Sequence, residues 1–145
     1  MSPVDRKTVS WAVAQLMPRI IQGVQLEFLV KRTITQTQFV VLVAVYSKKR
    51  STMNALAQSM HVSMPTISGI IDRLVKAGYL KRQESPADRR QVIVELTKKG
   101  QLLIEQFQSV ISQRWQEVLK SLDSNELESF YGVLTKLKEG LEGGK

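Results

Sequence analysis

Eleven of the 21 lysines and arginines of this 145-residue chain fall between residues 48 and 99, where only Asp72, Glu84, Asp88 and Glu95 are acidic. About a third of the chain therefore carries +7 of the total formal charge of +8. A segregated cationic block in an otherwise balanced chain suits a polyanion, whether DNA, RNA or an anionic membrane surface. A solvated basic face is the plainer alternative. Other chemistries find little support. There is no cysteine and one histidine, His61, so disulfides, thiol redox sensing and zinc or copper sensing are argued against. His61 reads more simply as a left-handed turn residue. No nucleophile sits beside a base, no glycine-rich loop cradles phosphate and no carboxylates cluster, so an enzyme is not expected.

The elements that must position these charges are helical at both ends. Residues 8–31 read as a long helix with Val13, Leu16, Met17, Ile20, Ile21, Val24 and Phe28 on one stripe. Pro18 predicts either a kink or a second helix starting near it. Thr35 or Thr37 caps a helix through Tyr46, with Lys48, Lys49 and Arg50 just past its end. Thr52 caps a short helix from Met53 to about Met60. After His61 and Val62, Ser63 caps the next helix, with Pro65 in its first turn, Ile67, Ile70, Ile71, Leu74 and Val75 inward, and Gly78 closing it. Strand-like residues 79–84 and 90–97 flank a Ser85-Pro86-Ala87-Asp88 turn, with Val92, Val94 and Leu96 alternating on one face. From Lys98 a helix carries Leu103, Phe107, Val110, Ile111, Trp115, Val118 and Leu119. A capping box at Asp123 and Glu126 starts a last helix with Leu127, Phe130, Leu134, Leu137 and Leu141 inward.

Two helices joined by a short turn and followed by a basic hairpin describe a winged helix. One helix enters the major groove and the hairpin reaches a neighbouring groove. The face of the helix opposite its apolar stripe presents Thr66, Gly69, Asp72, Arg73 and Lys76, with Ser68 at the edge. An ordinary amphipathic surface helix would look similar on its own. With 43% hydrophobic residues and one domain's length, the chain can bury a core. No signal-peptide pattern opens it, and its longest apolar run, Phe39–Tyr46, is too short to span a membrane. The expectation is a soluble cytoplasmic protein.

The run Asp88-Arg89-Arg90-Gln91-Val92-Ile93-Val94-Glu95-Leu96-Thr97 resembles the Asp-x-Arg-x5-Leu-Thr wing signature of the MarR family of bacterial and archaeal regulators. Leu56-Ala57, Val62-Ser63, Thr66-Ile67-Ser68 and Ile71 through Leu80 resemble the same family. The resemblance covers about residues 35–100 closely. It implies a mostly α fold with a small β-hairpin: about six helices, two to three short strands, and a single domain over 1–145. Residues 35–100 would form the winged helix-turn-helix lobe, and 8–34 and 98–141 the dimerisation helices. It further implies a homodimer on a pseudo-palindromic double-stranded DNA site, more often repressing than activating.

Site roles follow from the same resemblance. Ser63, Pro65, Thr66, Ser68, Gly69 and Arg73 match positions where the family contacts DNA. Asp88 and Arg90 would pair to hold the wing, leaving Arg89 the more groove-directed. Thr52 and Asn54 begin the helix that lies across the backbone and could donate to phosphate. Lys48, Lys49 and Lys81 would add non-specific attraction. No cofactor or metal is implied. Many family members respond to a small anionic aromatic effector in the crevice between lobe and dimerisation helices, for which Trp11, Met17, Arg19, Phe28, Phe39, Tyr46 and Trp115 are candidates. An apolar stripe at helical spacing is more often core. Two alternatives stand beside the regulator: a winged helix acting through protein or RNA contacts, and an architectural DNA binder without sequence preference.

Overall fold

The first helix passes through its proline and ends further on. In the computed structural model, which describes residues 4–144, α1 spans Arg6–Ile21 and α2 spans Val24–Lys31. Asp5 caps α1, accepting from the Thr8 amide at 2.8 Å. Hydrogen bonds from the Thr8 side chain and backbone hold the Asp5 carboxyl below its usual range. The expected break near Pro18 falls instead at Gln22 and Gly23. Proline removes one donor, but its own carbonyl still accepts from the Gln22 amide at 2.8 Å. The chain turns where glycine permits it, at Gly23 with φ +85°.

α3 (Gln36–Lys48) starts at Thr35 rather than Thr37. The Thr35 hydroxyl accepts from the Gln38 amide at 3.1 Å and the Gln38 side chain accepts from the Thr35 amide at 3.0 Å. Lys49 then turns at φ +65° into β1 (Arg50–Thr52). This is the third of the two to three strands expected; its position could not be read from the chain, because three residues are too few to show alternation. Thr52 caps α4 (Met53–Met60), and His61 adopts the left-handed conformation that ends it. Ser63 caps α5 (Met64–Lys76) and Gly78, φ +85°, follows its end. β2 (Leu80–Glu84) and β3 (Val92–Leu96) form the hairpin, with β3 between β1 and β2. Ser51 lies opposite Val94, and Leu80 opposite Leu96. α6 (Lys98–Leu119) and α7 (Ser124–Gly143) complete seven helices among the described residues.

Two compact units result, residues 1–110 and 111–145. The core of the first unites Val41, Leu42 and Val45 of α3, Leu56 of α4, Ile67, Ile71 and Leu74 of α5, Leu80, Val94, Leu103 and Ile104. Phe28, Phe39 and Phe107 close it edge to face, with Phe107 centroids 5.3 and 4.6 Å from the other two. The alternation expected along β3 holds only in part. Val94 is fully buried and Val92 and Leu96 are half-buried, but Ile93 on the opposite face is buried as well. As the central strand, β3 is flanked on both edges.

The start of α6 is sewn to the end of α5. Thr97 Oγ1 donates to the Gly78 carbonyl at 2.5 Å and accepts from the Gly100 amide at 3.1 Å. Lys99 Nζ donates to the Ala77 carbonyl at 2.7 Å, a cation where the helix dipole favours one.

In the second unit the Trp115 and Phe130 ring centroids lie 6.5 Å apart, and Asp123 and Glu126 form the expected capping box. The inward placement expected of the α7 stripe is corrected here. No residue of α7 is buried, and Leu137 and Leu141 are 59% and 81% exposed. The α1 stripe behaves similarly: Val13, Leu16 and Met17 are exposed and only Ile20 is buried. Periodicity identifies an apolar face but not what covers it.

Candidate nucleic-acid interface

α5 owes its place to its sequence. Ile67, Ile71 and Leu74 pin one face into the core, leaving the opposite face free. Ser63 Oγ accepts from the Thr66 amide at 3.3 Å and lies 2.9 Å from Thr66 Oγ1. Pro65 occupies the first turn, where its missing donor is harmless. Ser63, Met64, Pro65, Thr66, Gly69 and Arg73 are exposed and Ser68 is half-buried. This assembles the recognition residues expected from the sequence on and around one helical face.

The wing is tied to this helix by Arg82, a residue that neither type nor spacing singles out. Arg82 of β2 forms an ion pair with Asp72 of α5, and its Nη2 also donates to the Ser68 carbonyl at 3.4 Å. Asp72 is thus committed to Arg82, not to its neighbour Arg73. The signal was absent because residues 72 and 82 meet only once β2 folds back along the helix. Lys81 lies 3.6 Å from Glu95, which also accepts from the Gln83 side chain at 2.6 Å. Two of the basic residues at the base of the wing are therefore already partnered.

The tip is different. Ser85 is buried; its hydroxyl accepts from the Ala87 and Asp88 amides at 3.3 and 3.4 Å, and its amide donates to the Gln91 carbonyl at 3.0 Å. Asp88 Oδ1 accepts from the Arg90 amide at 3.0 Å and lies 3.4 Å from Arg90 Nε. Arg89 is exposed and, among the described residues, takes part in no ion pair. Two neighbouring arginines thus have different surroundings. At the lobe's other edge the Thr52 hydroxyl is occupied as an acceptor, bonded by the Ala55 amide at 3.1 Å, with its own proton available to a phosphate. Asn54 beside it is exposed, as are Lys48, Lys49 and Arg50.

Among the effector candidates of the first unit, Phe28 and Phe39 meet, with ring centroids 6.3 Å apart, but as part of the core. Tyr46 is half-buried against that core. Trp11 is exposed on α1, and Trp115 belongs to the second unit. Arg19 lies on a shallow surface with Ala12, Gln15 and Leu16. Met17 lines a sizeable, mostly apolar cavity, about 850 Å³, with Pro18, Ile21, Leu29, Val30 and Ile34. A second cavity of about 330 Å³ is cationic, walled by Arg32, Arg73 and Lys99 with Thr33, Gln38 and Tyr79. Arg32 stacks 3.6 Å over the Phe28 ring and donates to the Phe28 carbonyl. Among the described residues, none of these three cations is paired with a carboxylate. Residues 32, 73 and 99 are too distant in sequence for their convergence to be read from it.

No group of three or more His, Cys, Asp or Glu among the described residues is placed to hold a metal, and no helix is long and apolar enough to cross a membrane. The sequence model of the MarR family matches residues 34–92. Wild-type MarR from E. coli in its apo form is 28% identical, with a TM-score of 0.66 over 94% of this chain and 98% of that one. A MarR variant from E. coli complexed with operator DNA is also 28% identical, with a TM-score of 0.57 over 92% of this chain and 99% of that one. A transcriptional regulator from Thermotoga maritima has a TM-score of 0.81 at 23% identity, over 94% and 96% of the two chains, which is a likeness of fold.

Proposed function

Because residues 34–92 match the sequence model of the MarR family, we propose that the chain is a DNA-binding transcriptional regulator of that family, acting as a homodimeric repressor on a pseudo-palindromic duplex and answering to a small anion. One observation carries the reading. The exposed face of α5 and the base of the wing are joined through Arg82, Asp72 and the Ser68 carbonyl, so the helix and the hairpin lie along one edge of the lobe. α5 enters the major groove, Arg89 reaches the adjoining minor groove, and Arg90 with Asp88 shapes the tip that presents it. Thr52, Asn54 and the lysines at 48 and 49 meet phosphates, which sets register and salt dependence rather than sequence.

The uncovered apolar faces of α1 and α7 support a dimer. A leucine more than half exposed on a 20-residue helix with no buried residue suits burial against a second copy. Two-fold symmetry then repeats the recognition edge about one helical turn, roughly 34–36 Å, along the duplex. The cationic cavity supports an anionic effector, with Tyr79 beside the cations to favour an aromatic one. Arg73 belongs both to that cavity and to α5, so an anion held there competes with DNA phosphate for the same guanidinium.

The test is binding of the full chain to its own upstream DNA and to random duplex at one salt concentration. Paired recognition edges predict discrimination on the order of 10³-fold or more. Equal affinities, or tighter binding to RNA, would remove the sequence-specific reading. Added benzoate, against chloride at matched ionic strength, should loosen the specific complex.

A further inference from the structure

The first two turns of α5 lack the side chains that read bases by paired hydrogen bonds, although Arg73 and Lys76 are exposed further along. Those two turns offer Met64, Pro65, Thr66, Ser68 and Gly69. None is Arg, Lys, Asn or Gln, the residues that grip guanine O6/N7 or adenine N6/N7 bidentately. The first long polar side chains come a turn later. Asp72 is committed to Arg82, and Arg73 opens onto the cavity of Arg32 and Lys99. The Thr66 hydroxyl bonds the Ser63 hydroxyl at 2.9 Å and keeps some hydrogen-bonding capacity, but the same side chain also carries a γ-methyl, an apolar group able to meet a base edge. Met64 is 43% exposed although apolar. Gly69 has ordinary helical backbone, and a Cβ there would meet nothing within 4 Å, so nothing inside the chain requires a glycine.

We propose that α5 reads thymine C5-methyl groups in the major groove, through Met64, Pro65 and the Thr66 methyl, with Gly69 letting the helix approach closely. The base pairs facing the first two turns are then A·T. The methyl is the one apolar mark on a major-groove base edge, and a surface of this composition has apolar contact as its main means of discrimination. This rests on the DNA-binding reading above and names what the recognition helix recognises.

The experiment selects a site from random duplexes with the full chain, then replaces each thymine in turn by uracil. That exchange removes one methyl and leaves every hydrogen-bonding group in place. At two or more positions per half-site, uracil should weaken binding about three- to fivefold, the value of one buried methyl group. Met64→Ala, on the surface and so compatible with folding, should abolish the uracil effect at one of them. A cytosine substituted there should bind better once methylated at C5. If a site is selected but uracil changes affinity less than 1.5-fold (roughly half the smallest effect expected) everywhere, methyl readout is wrong while the regulator reading stands. A selected half-site with helix-facing G·C pairs, at which guanine N7 methylation blocks binding, overturns it equally. If no site is selected, the regulator reading itself falls, and this inference with it.

Discussion

Replacing Gly69 by alanine should make the protein more stable and a poorer DNA binder at once. The residue lies in the interior of α5, its φ is not positive, and the space a Cβ would occupy is empty to 4 Å. Glycine at such a position is less favourable than alanine by roughly 0.8–1 kcal/mol, through backbone entropy lost on folding. No clash offsets the gain, so most of it should appear, as a rise of about 2–4 °C in Tm for a chain of this size. In the complex the same methyl group stands between helix and groove. Holding the helix back by even part of a methyl radius loosens every contact of the first two turns, and an affinity loss on the order of tenfold, about 1.4 kcal/mol, is expected. The assay pairs calorimetric unfolding with fluorescence anisotropy on the selected duplex. Wild type and variant are compared at one protomer concentration, because the proposed dimerisation would make Tm concentration-dependent. Unchanged affinity would show that α5 does not approach DNA at Gly69. A lowered Tm would show that the site is not the open helical position described.

Arg89→Ala should weaken specific binding by about 1–3 kcal/mol with the dimer intact on sedimentation. Arg90→Ala and Asp88→Ala should cost less than their sum when combined, since they lose one shared interaction; full additivity would dissolve the pair. Leu137→Glu should shift the chain toward monomer in sedimentation at micromolar concentration while leaving the melting of the isolated protomer nearly unchanged, because the side chain is already exposed. Gly100→Ala should destabilise by at least about 1–3 kcal/mol in denaturant unfolding, since its Cβ would collide with the Tyr79 carbonyl, a backbone atom that cannot step aside.

What the residues determine locally was legible in the chain. Capping depends on a side chain reaching an amide three residues on, and Ser63, Thr52 and Asp123 cap as their types and spacing require. His61 turns left-handed where a polar, unbranched residue between two helices is suited to do so. The basic wing, the α5 core stripe and the family likeness all reside in contiguous residues. Pro18 marked the right region of the chain, but the break itself falls five residues on at Gly23, where a positive φ lets the chain turn.

The cationic block itself reads differently in three dimensions. In the chain, Lys81, Arg82, Arg89 and Arg90 are equivalent charges of one hairpin. In the fold, Arg82 is spent on Asp72, Lys81 faces Glu95 and Arg90 faces Asp88, which leaves Arg89 as the wing arginine without an acid partner among the described residues. Arg32, Arg73 and Lys99 converge on one cavity from three separate elements. Charge sign and helical face are properties of residue type and spacing, so a basic winged helix could be read from the chain alone. Which charges are neutralised, and which apolar faces stay uncovered, depends on distances between elements far apart in the chain, and those distances are set only once it has folded.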